Sequence, residues 1–245
     1  MEYLVFRLYG PLASWGEAAV GPTRPSAAYP GRSAILGLLA AALGIRREDE
    51  ADLSRLRDAI TIAVKQLSPG TLLRDYHTSQ VPGQDKKAVW LTRRDELGVA
   101  KDKLNTILSS REYRSDGYWT VAIRLADESP WSLEQMAEAL RFPRFQLYLG
   151  RKSCPLAAPL YPQLVSAQGV REALSVEFPG LINSEMKDDE KRRLGMGAEV
   201  GYAWEGDAGD IAPQETRYPY DQPLHRGRWQ FASRPEHWHQ TREEP

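Results

Sequence analysis

Between Gly10 and Arg47 the chain reads GPLASWGEAAVGPTRPSAAYPGRSAILGLLAAALGIRR, and no regular element can span that stretch from end to end. Gly10, Pro11, Gly16, Gly21, Pro22, Pro25, Pro30 and Gly31 interrupt any ladder or helix, so a loop shaped by specific turns must run through them. A capped, very apolar helix is expected directly behind it. Ser33 stands where an N-cap belongs, Ala34 to Ile45 is small and aliphatic, Gly44 is a stop, and Arg46 and Arg47 suit the negative helix end. The start of such a helix carries unpaired amides. With Arg32 beside them and Arg24 in the loop, the pattern predicts a phosphate-holding site. A core helix with a long connection accounts for the same residues equally well.

The rest of the first half alternates strands and helices. Glu2 to Tyr9 has Leu4, Phe6 and Leu8 on one face and Tyr3, Val5, Arg7 and Tyr9 on the other, which predicts a first, central strand. Glu48 to Ala59 reads as a short helix, Ile60 to Gln66 as a strand, and Thr71 to Thr78 as another. Tyr118 to Leu125 is a further strand. Ser129 and Pro130 open a helix through Leu140 with Leu133, Met136, Ala137 and Leu140 inward, and Phe145 to Leu149 closes the set. This order gives an α+β fold, a modified RRM or ferredoxin-like domain over residues 1–155. Between about 79 and 113 the sequence turns charged and polar around Ala88 to Leu91, which predicts a protruding hairpin inserted in the domain. Residues 156–245 read as a β-rich C-terminal extension, with Met186 to Arg193 either a charged helix or a loop and the end from His237 frayed.

Composition narrows the function classes. A net charge of -1 over 245 residues argues against coating nucleic acid by bulk electrostatics. The charge is uneven, though: Met1 to Arg46 holds four arginines against two glutamates, while the stretch from Glu185 is acidic, so a local phosphate track fits. The single cysteine, Cys154, excludes an internal disulfide framework and a multi-cysteine zinc site. No apolar run approaches the roughly 20 residues that span a bilayer, and MEYLVFRLYG has no basic leader, so the expected location is cytoplasmic, without membrane contact.

Three groups of residues could carry chemistry. Trp15, Tyr29, Tyr76 and Tyr113 lie among Arg24, Arg32, Arg74, Arg111 and Arg114, the interleaving expected where bases stack and phosphates pair. Gly150, Arg151, Lys152 and Ser153 could cradle a phosphate through amides, a hydroxyl and two cations, although the spacing GxxxxGK[ST] is absent. His77 could act as general base for metal-independent RNA cleavage with Arg151 or Lys152 as the cation, against the plainer reading of a packing histidine. His237 and His239 lack further metal ligands, and Glu112 with Asp116 reads as a solvated face. No cofactor or metal is expected.

Several ordered blocks resemble one family. Gly10-Pro11-Leu12 with Trp15-Gly16, Thr23-Arg24-Pro25, Arg32-Ser33 and Leu43 to Ile45 are similar to the start of the CasD-type subunit of Cascade, the type I-E CRISPR surveillance complex, in the RAMP superfamily. Leu73 to Thr78, Arg111 to Tyr113, Tyr148 to Arg151 with Ser153 to Leu156, and Gln230 to Arg234 follow in the family's order. The resemblance implies a non-catalytic subunit that grips the crRNA 5′ handle, caps the backbone filament of CasC subunits, helps seat CasA and meets target DNA through the assembled complex. It also implies that the inserted hairpin is a thumb. Cleavage belongs to CasE in such systems, whereas a related subtype uses its own subunit of this family as the nuclease. The site residues it implies are Trp15, Arg24, Arg32, Ser33, Arg74, Tyr76, His77, Arg111, Tyr113, Gly150, Arg151, Lys152 and Ser153.

Overall fold

The computed structural model describes residues 1–84, 88–181, 187–197, 199–225 and 227–242. In chain order the elements begin with β1 (Glu2–Tyr9), the two-residue strands β2 (Leu12–Ala13) and β3 (Thr23–Arg24), and helices α1 (Arg32–Leu43) and α2 (Glu50–Ala59). Then come β4 (Ile60–Ser68), β5 (Thr71–Pro82), α3 (Arg93–Leu97), β6 (Leu104–Ser115), β7 (Tyr118–Leu125) and α4 (Leu133–Arg141). The second half holds β8 (Gln163–Ser166), α5 (Val170–Ala173), α6 (Lys187–Arg193), β9 (Glu199–Trp204), β10 (Glu215–Arg217), β11 (Gln222–His225), β12 (Gln230–Ala232) and β13 (Glu236–Arg242).

One seven-stranded sheet organises the molecule, in the order β10-β13-β9-β4-β7-β1-β8, with every pairing antiparallel. The run β4-β7-β1-β8 within it, with α1 and α4 as the connections, is the expected ferredoxin-like plan. Alternation along β1 decides its two faces. Leu4, Phe6 and Leu8 join Ile35 and Leu39 of α1, Trp119 and Val121 of β7 and Met136 of α4 in the larger core. Tyr3 and Val5 face the other way, into a second core with Val170 and Ala173 of α5 and Tyr202 and Trp204 of β9. Both faces of the sheet are therefore covered. Each fully buried aliphatic side chain contributes roughly 1.5–3 kcal/mol.

Several expectations are corrected. Strand β1 lies next to the edge rather than at the centre, because the C-terminal strands extend the far side of the sheet. Phe145 to Leu149 is no strand: the amides of Arg144 and Phe145 satisfy the orphan carbonyls of Ala42 and Ala41 at the end of α1 at 3.0 and 3.1 Å, and Ser14 bonds to Leu149 at 3.0 Å. The fourth strand is β8, so the boundary expected at 155 falls before the core sheet is complete. From His237 to Arg242 the end is not frayed but belongs to β13, paired with both β9 and β10, while residues 243–245 lie outside the described residues. Ser132, not Ser129, caps α4, through a capping box with Gln135. Lys187 to Arg193 is helical, while Met186 lies outside the described residues.

The inserted hairpin is longer than the sequence suggests. Strands β5 and β6 pair over twelve positions, from Thr71 opposite Ser115 to Pro82 opposite Leu104, so Thr71 to Thr78 belongs to the arm and not to the main sheet. At the arm's base β2 and β3 of the glycine- and proline-rich loop add to β6 on its other side. The loop is thus tied to the arm, which explains how it holds a fixed shape.

Candidate nucleic-acid interface

The N-terminus of α1 is closed. Gly31 is its N-cap, without a side-chain cap, so Ser33 does not cap the helix. The amide of Arg32 donates to Asp221 Oδ2 at 2.6 Å, which puts a carboxylate where a phosphate was expected. The Arg32 side chain is 6% exposed, paired with Glu205 and bonded to the carbonyls of Arg57 and Ile60. Arg32 is a buried structural cation and is withdrawn from the RNA-contacting set. A guanidinium taken out of water needs such partners, and here they are all internal.

Around this point five charged groups converge. Arg234 bonds Asp221 at 2.7 Å and Glu236 at 2.6 Å and lies 3.3 Å from Glu205. Tyr29 donates to Glu236 Oε1 at 2.7 Å and stacks on Trp238 with centroids 5.2 Å apart. Burial raises the Glu205 carboxyl above the usual carboxylate range even with Arg32 and Arg234 pulling it down. Burial, reinforced by Glu236, also raises the Tyr29 phenol. For Arg234 burial works against the charge, but Asp221, Glu236 and Glu205 outweigh it and the guanidinium is held charged. This network ties β11, β12 and β13 to the start of α1.

Beside the network runs an open groove of about 1820 Å³. Its floor is the outer face of α1, including Ser33, Gly37 and Ala41, with the buried Trp15 at one end. One wall carries Gly150, Arg151 and Lys152; another carries Arg46 and Arg47; the third is C-terminal, with Arg217, Tyr218, Tyr220 and Trp229. Six of the residues singled out from sequence thus meet in one place: Trp15, Tyr29, Ser33, Gly150, Arg151 and Lys152. Trp15 is 2% exposed and packs edge-on against Trp119, so its ring is core and not a free stacking surface. Arg151 bonds Ser14 Oγ at 2.9 Å and lies over the Tyr113 ring at 5.3 Å, which buries Tyr113 as well. Ser153 is exposed beside Cys154, whose thiol burial pushes up.

Gly150 is required by geometry. It sits at φ 82°, and a Cβ there would meet the Ser14 carbonyl at 1.9 Å. Gly150→Ala is expected to push the Arg151–Lys152 loop off Ser14 and lower the thermal midpoint by a few degrees, as about 1–3 kcal/mol of strain implies. A melting curve checks it, and an unchanged midpoint would contradict the close approach.

The arm holds the remaining candidates on two different faces, because side chains alternate along each strand. On one face lie Asp75, His77, Ser109 and Arg111; on the other lie Arg74, Tyr76, Ser110 and Glu112. Arg24 of β3 is in register with Arg111 across a parallel pairing, and both are exposed. The Arg24 guanidinium reaches the Gly21 and Thr23 carbonyls. The Asp75 carboxylate beside Arg111 is already engaged by His77. Tyr76 is 63% exposed.

Glu112 is no solvated carboxylate. It accepts from Arg74 at 2.9 Å and from the Ser26 amide at 3.4 Å, and the Arg74 hydrogen bond holds its carboxyl below the usual range. A depressed carboxyl stabilises the fold above its unfolded pKa and loses that contribution as pH falls through the lowered value. Arg74→Ala is therefore expected to loosen the arm's base at neutral pH and to make no difference in strong acid. Amide hydrogen exchange of β6 at two pH values reads this directly.

His77 and the cations once paired with it are not assembled. Ser109, opposite His77, is four residues from Tyr113, on which Arg151 rests, a separation of about 13 Å along the strand. His237 and His239 are engaged by Thr216 and by the Ala212 carbonyl.

A ferredoxin-like sheet bearing a long arm, with a groove lined by both cations and exposed aromatic rings, is the build of a protein that holds a single-stranded nucleic acid. The family model described as CRISPR-associated protein (Cas_Cas5) matches residues 3–235, and the chain belongs to that family. The CRISPR system Cascade subunit CasD of Escherichia coli K12 is 36% identical over 173 residues, covering 71% of this chain and 75% of that protein. Among solved structures, a chain of a CRISPR RNA-guided surveillance complex aligns with a TM-score of 0.65 at 27% identity, covering 98% of this chain and 90% of the other. A second, described as a Cas protein, aligns with a TM-score of 0.60 at 25% identity over 98% and 94%. Among the described residues no helix is long and apolar enough to cross a membrane.

The sequence reading missed Arg46 and Arg47 as groove residues, having assigned them to the helix dipole, and missed Arg217, Tyr218, Tyr220 and Trp229 altogether. The run Arg217-Tyr218-Pro219-Tyr220 shows the same interleaving of cation and aromatic that drew attention to the first half.

Proposed function

We propose that this chain is a non-catalytic crRNA-binding subunit of a Cascade-type complex, that it holds the 5′ handle of the crRNA in the groove over α1, and that it caps the backbone filament. The observation that carries the reading is the groove itself, which gathers Arg46, Arg47, Arg151, Lys152 and Arg217 beside exposed aromatic rings on a near-neutral protein. Cations there neutralise phosphates without making the whole surface adhesive. The exposed pair Arg24 and Arg111 extends the cationic track to the base of the arm, which reaches toward the CasC-type backbone subunit. Contact with a CasA-type large subunit and with target DNA follows in the assembled complex.

The cations considered for His77, Arg151 and Lys152, belong to the groove rather than to the face of the arm that carries His77, which favours binding over cleavage by that set, since a general base needs its cation within reach of one phosphate. The test has two arms. Co-expression with the backbone subunit and crRNA is expected to yield a ribonucleoprotein that retains RNA, and Arg47→Glu with Lys152→Glu is expected to lose it. Purified chain incubated with labelled precursor repeat RNA in chelator is expected to leave the RNA intact. Specific cutting abolished by His77→Ala would replace this reading with that of a processing endoribonuclease.

A further inference from the structure

In an RRM-like sheet the face free of helices normally offers aromatic rings to bases. Here that face is occupied. Tyr3, Tyr202 and Trp204 lie on it at 3%, 0% and 2% exposure, buried beneath α5 and its flanking segments. Base stacking must therefore find other rings, and the groove on the opposite side supplies them. Tyr218 and Tyr220, 69% and 59% exposed, stand on its C-terminal wall. Exposed aromatic rings cost solvation unless something covers them.

Their backbone is fixed from several sides. Pro219 restricts the link between the two rings and its carbonyl accepts from the Arg234 amide at 3.2 Å. The next residue, Asp221, is bonded by both Arg234 and the start of α1. On the preceding side, Arg217 belongs to β10 and its guanidinium lies 4.3 Å from the Trp238 centroid. Rings held this way lose little entropy when a ligand arrives. Trp229, 61% exposed with the Arg47 guanidinium 5.0 Å from its centroid, lines the same groove and brings a cation beside the aromatic wall.

We propose that Tyr218 and Tyr220 form the base-stacking surface of the groove, so that a single-stranded RNA lies with its bases against the C-terminal wall and its phosphates toward Arg46, Arg47 and Lys152. The occupant is RNA rather than a peptide because the groove brings Arg46, Arg47, Arg151, Lys152 and Arg217 together with exposed rings, the combination that neutralises phosphates and stacks bases. The inference rests on the RNA-binding reading above and deepens it.

The experiment uses the full-length chain and a short unstructured RNA oligonucleotide carrying 2-aminopurine, whose fluorescence is quenched when it stacks. Wild type is expected to bind and quench. Tyr218→Ala and Tyr220→Ala are each expected to weaken binding about tenfold and to relieve the quench, with the salt dependence unchanged. Tyr218→Phe and Tyr220→Phe, which keep the ring, are expected to behave as wild type. Lys152→Glu is expected to weaken binding and lower the salt slope by about 0.7 while leaving the quench at saturation intact. If the alanine variants bind and quench like wild type while Lys152→Glu is weakened, stacking at these rings is overturned and the RNA reading stands. If wild type binds no RNA, both fall.

Discussion

Arg234→Ala is expected to destabilise the protein by about 3–5 kcal/mol, lowering the thermal midpoint by about 10 °C. Arg234 bonds Asp221 and Glu236 and lies beside Glu205, and all four side chains are 15% exposed or less. Without the guanidinium, three carboxylates remain in a low-dielectric pocket with only Arg32 to balance them. The pH dependence follows. Burial already raises the Glu205 carboxyl with both guanidiniums beside it, and without Arg234 it rises further above its unfolded value, so the variant's deficit is full at neutral pH. It shrinks as pH falls and the Glu205 carboxyl accepts a proton. Thermal melts of both proteins across that range test this, and a gap that widens on acidification would refute it. Arg234→Lys keeps a charge but not the fork that bonds two carboxylates at once, so it should restore only part of the loss. Because this network fixes the C-terminal wall, the destabilised variant is also expected to lose RNA.

Replacing both Arg24 and Arg111 by Glu is expected to weaken RNA binding about 100-fold or more at low salt with little effect on folding. Hydrogen bonds to charged groups are worth about 1.5–3 kcal/mol each, and reversal adds repulsion. The register makes the expectation sharp. Arg24 and Arg111 are partners on neighbouring strands, and like charges placed directly opposite destabilise a sheet. Such a pair is tolerated when an anion is to come between the two side chains. Arg111→Ala alone should therefore leave the free chain as stable as wild type or slightly more so, while binding RNA less well. Filter binding at several salt concentrations, beside thermal melts, separates the two effects. Equal losses of stability and binding would show that Arg111 serves the arm's architecture and not a ligand.

The period-2 pattern of Glu2 to Tyr9 and of Tyr118 to Leu125, and the apolar run after Arg32, already prescribed β1, β7 and α1, because local backbone geometry and burial of one face are written in residue spacing. The glycines and prolines of the first loop prescribed irregular structure there, and the family blocks fixed the kind of protein. What spacing cannot carry is which distant segment completes a partnership. Asp221 and Glu205 lie 189 and 173 residues from Arg32, and nothing near Arg32 announces that these carboxylates will claim its amide and its side chain. The same long-range closure set the amides of Arg144 and Phe145 on the last carbonyls of α1, ordered β13, and brought Tyr218 and Tyr220 to a groove lined also by α1 and by Gly150, Arg151 and Lys152. The sequence by itself determined β1, β7, α1, the family and most of the cations; only the tertiary structure decided how the remaining strands pair and which of those cations are neutralised inside the protein.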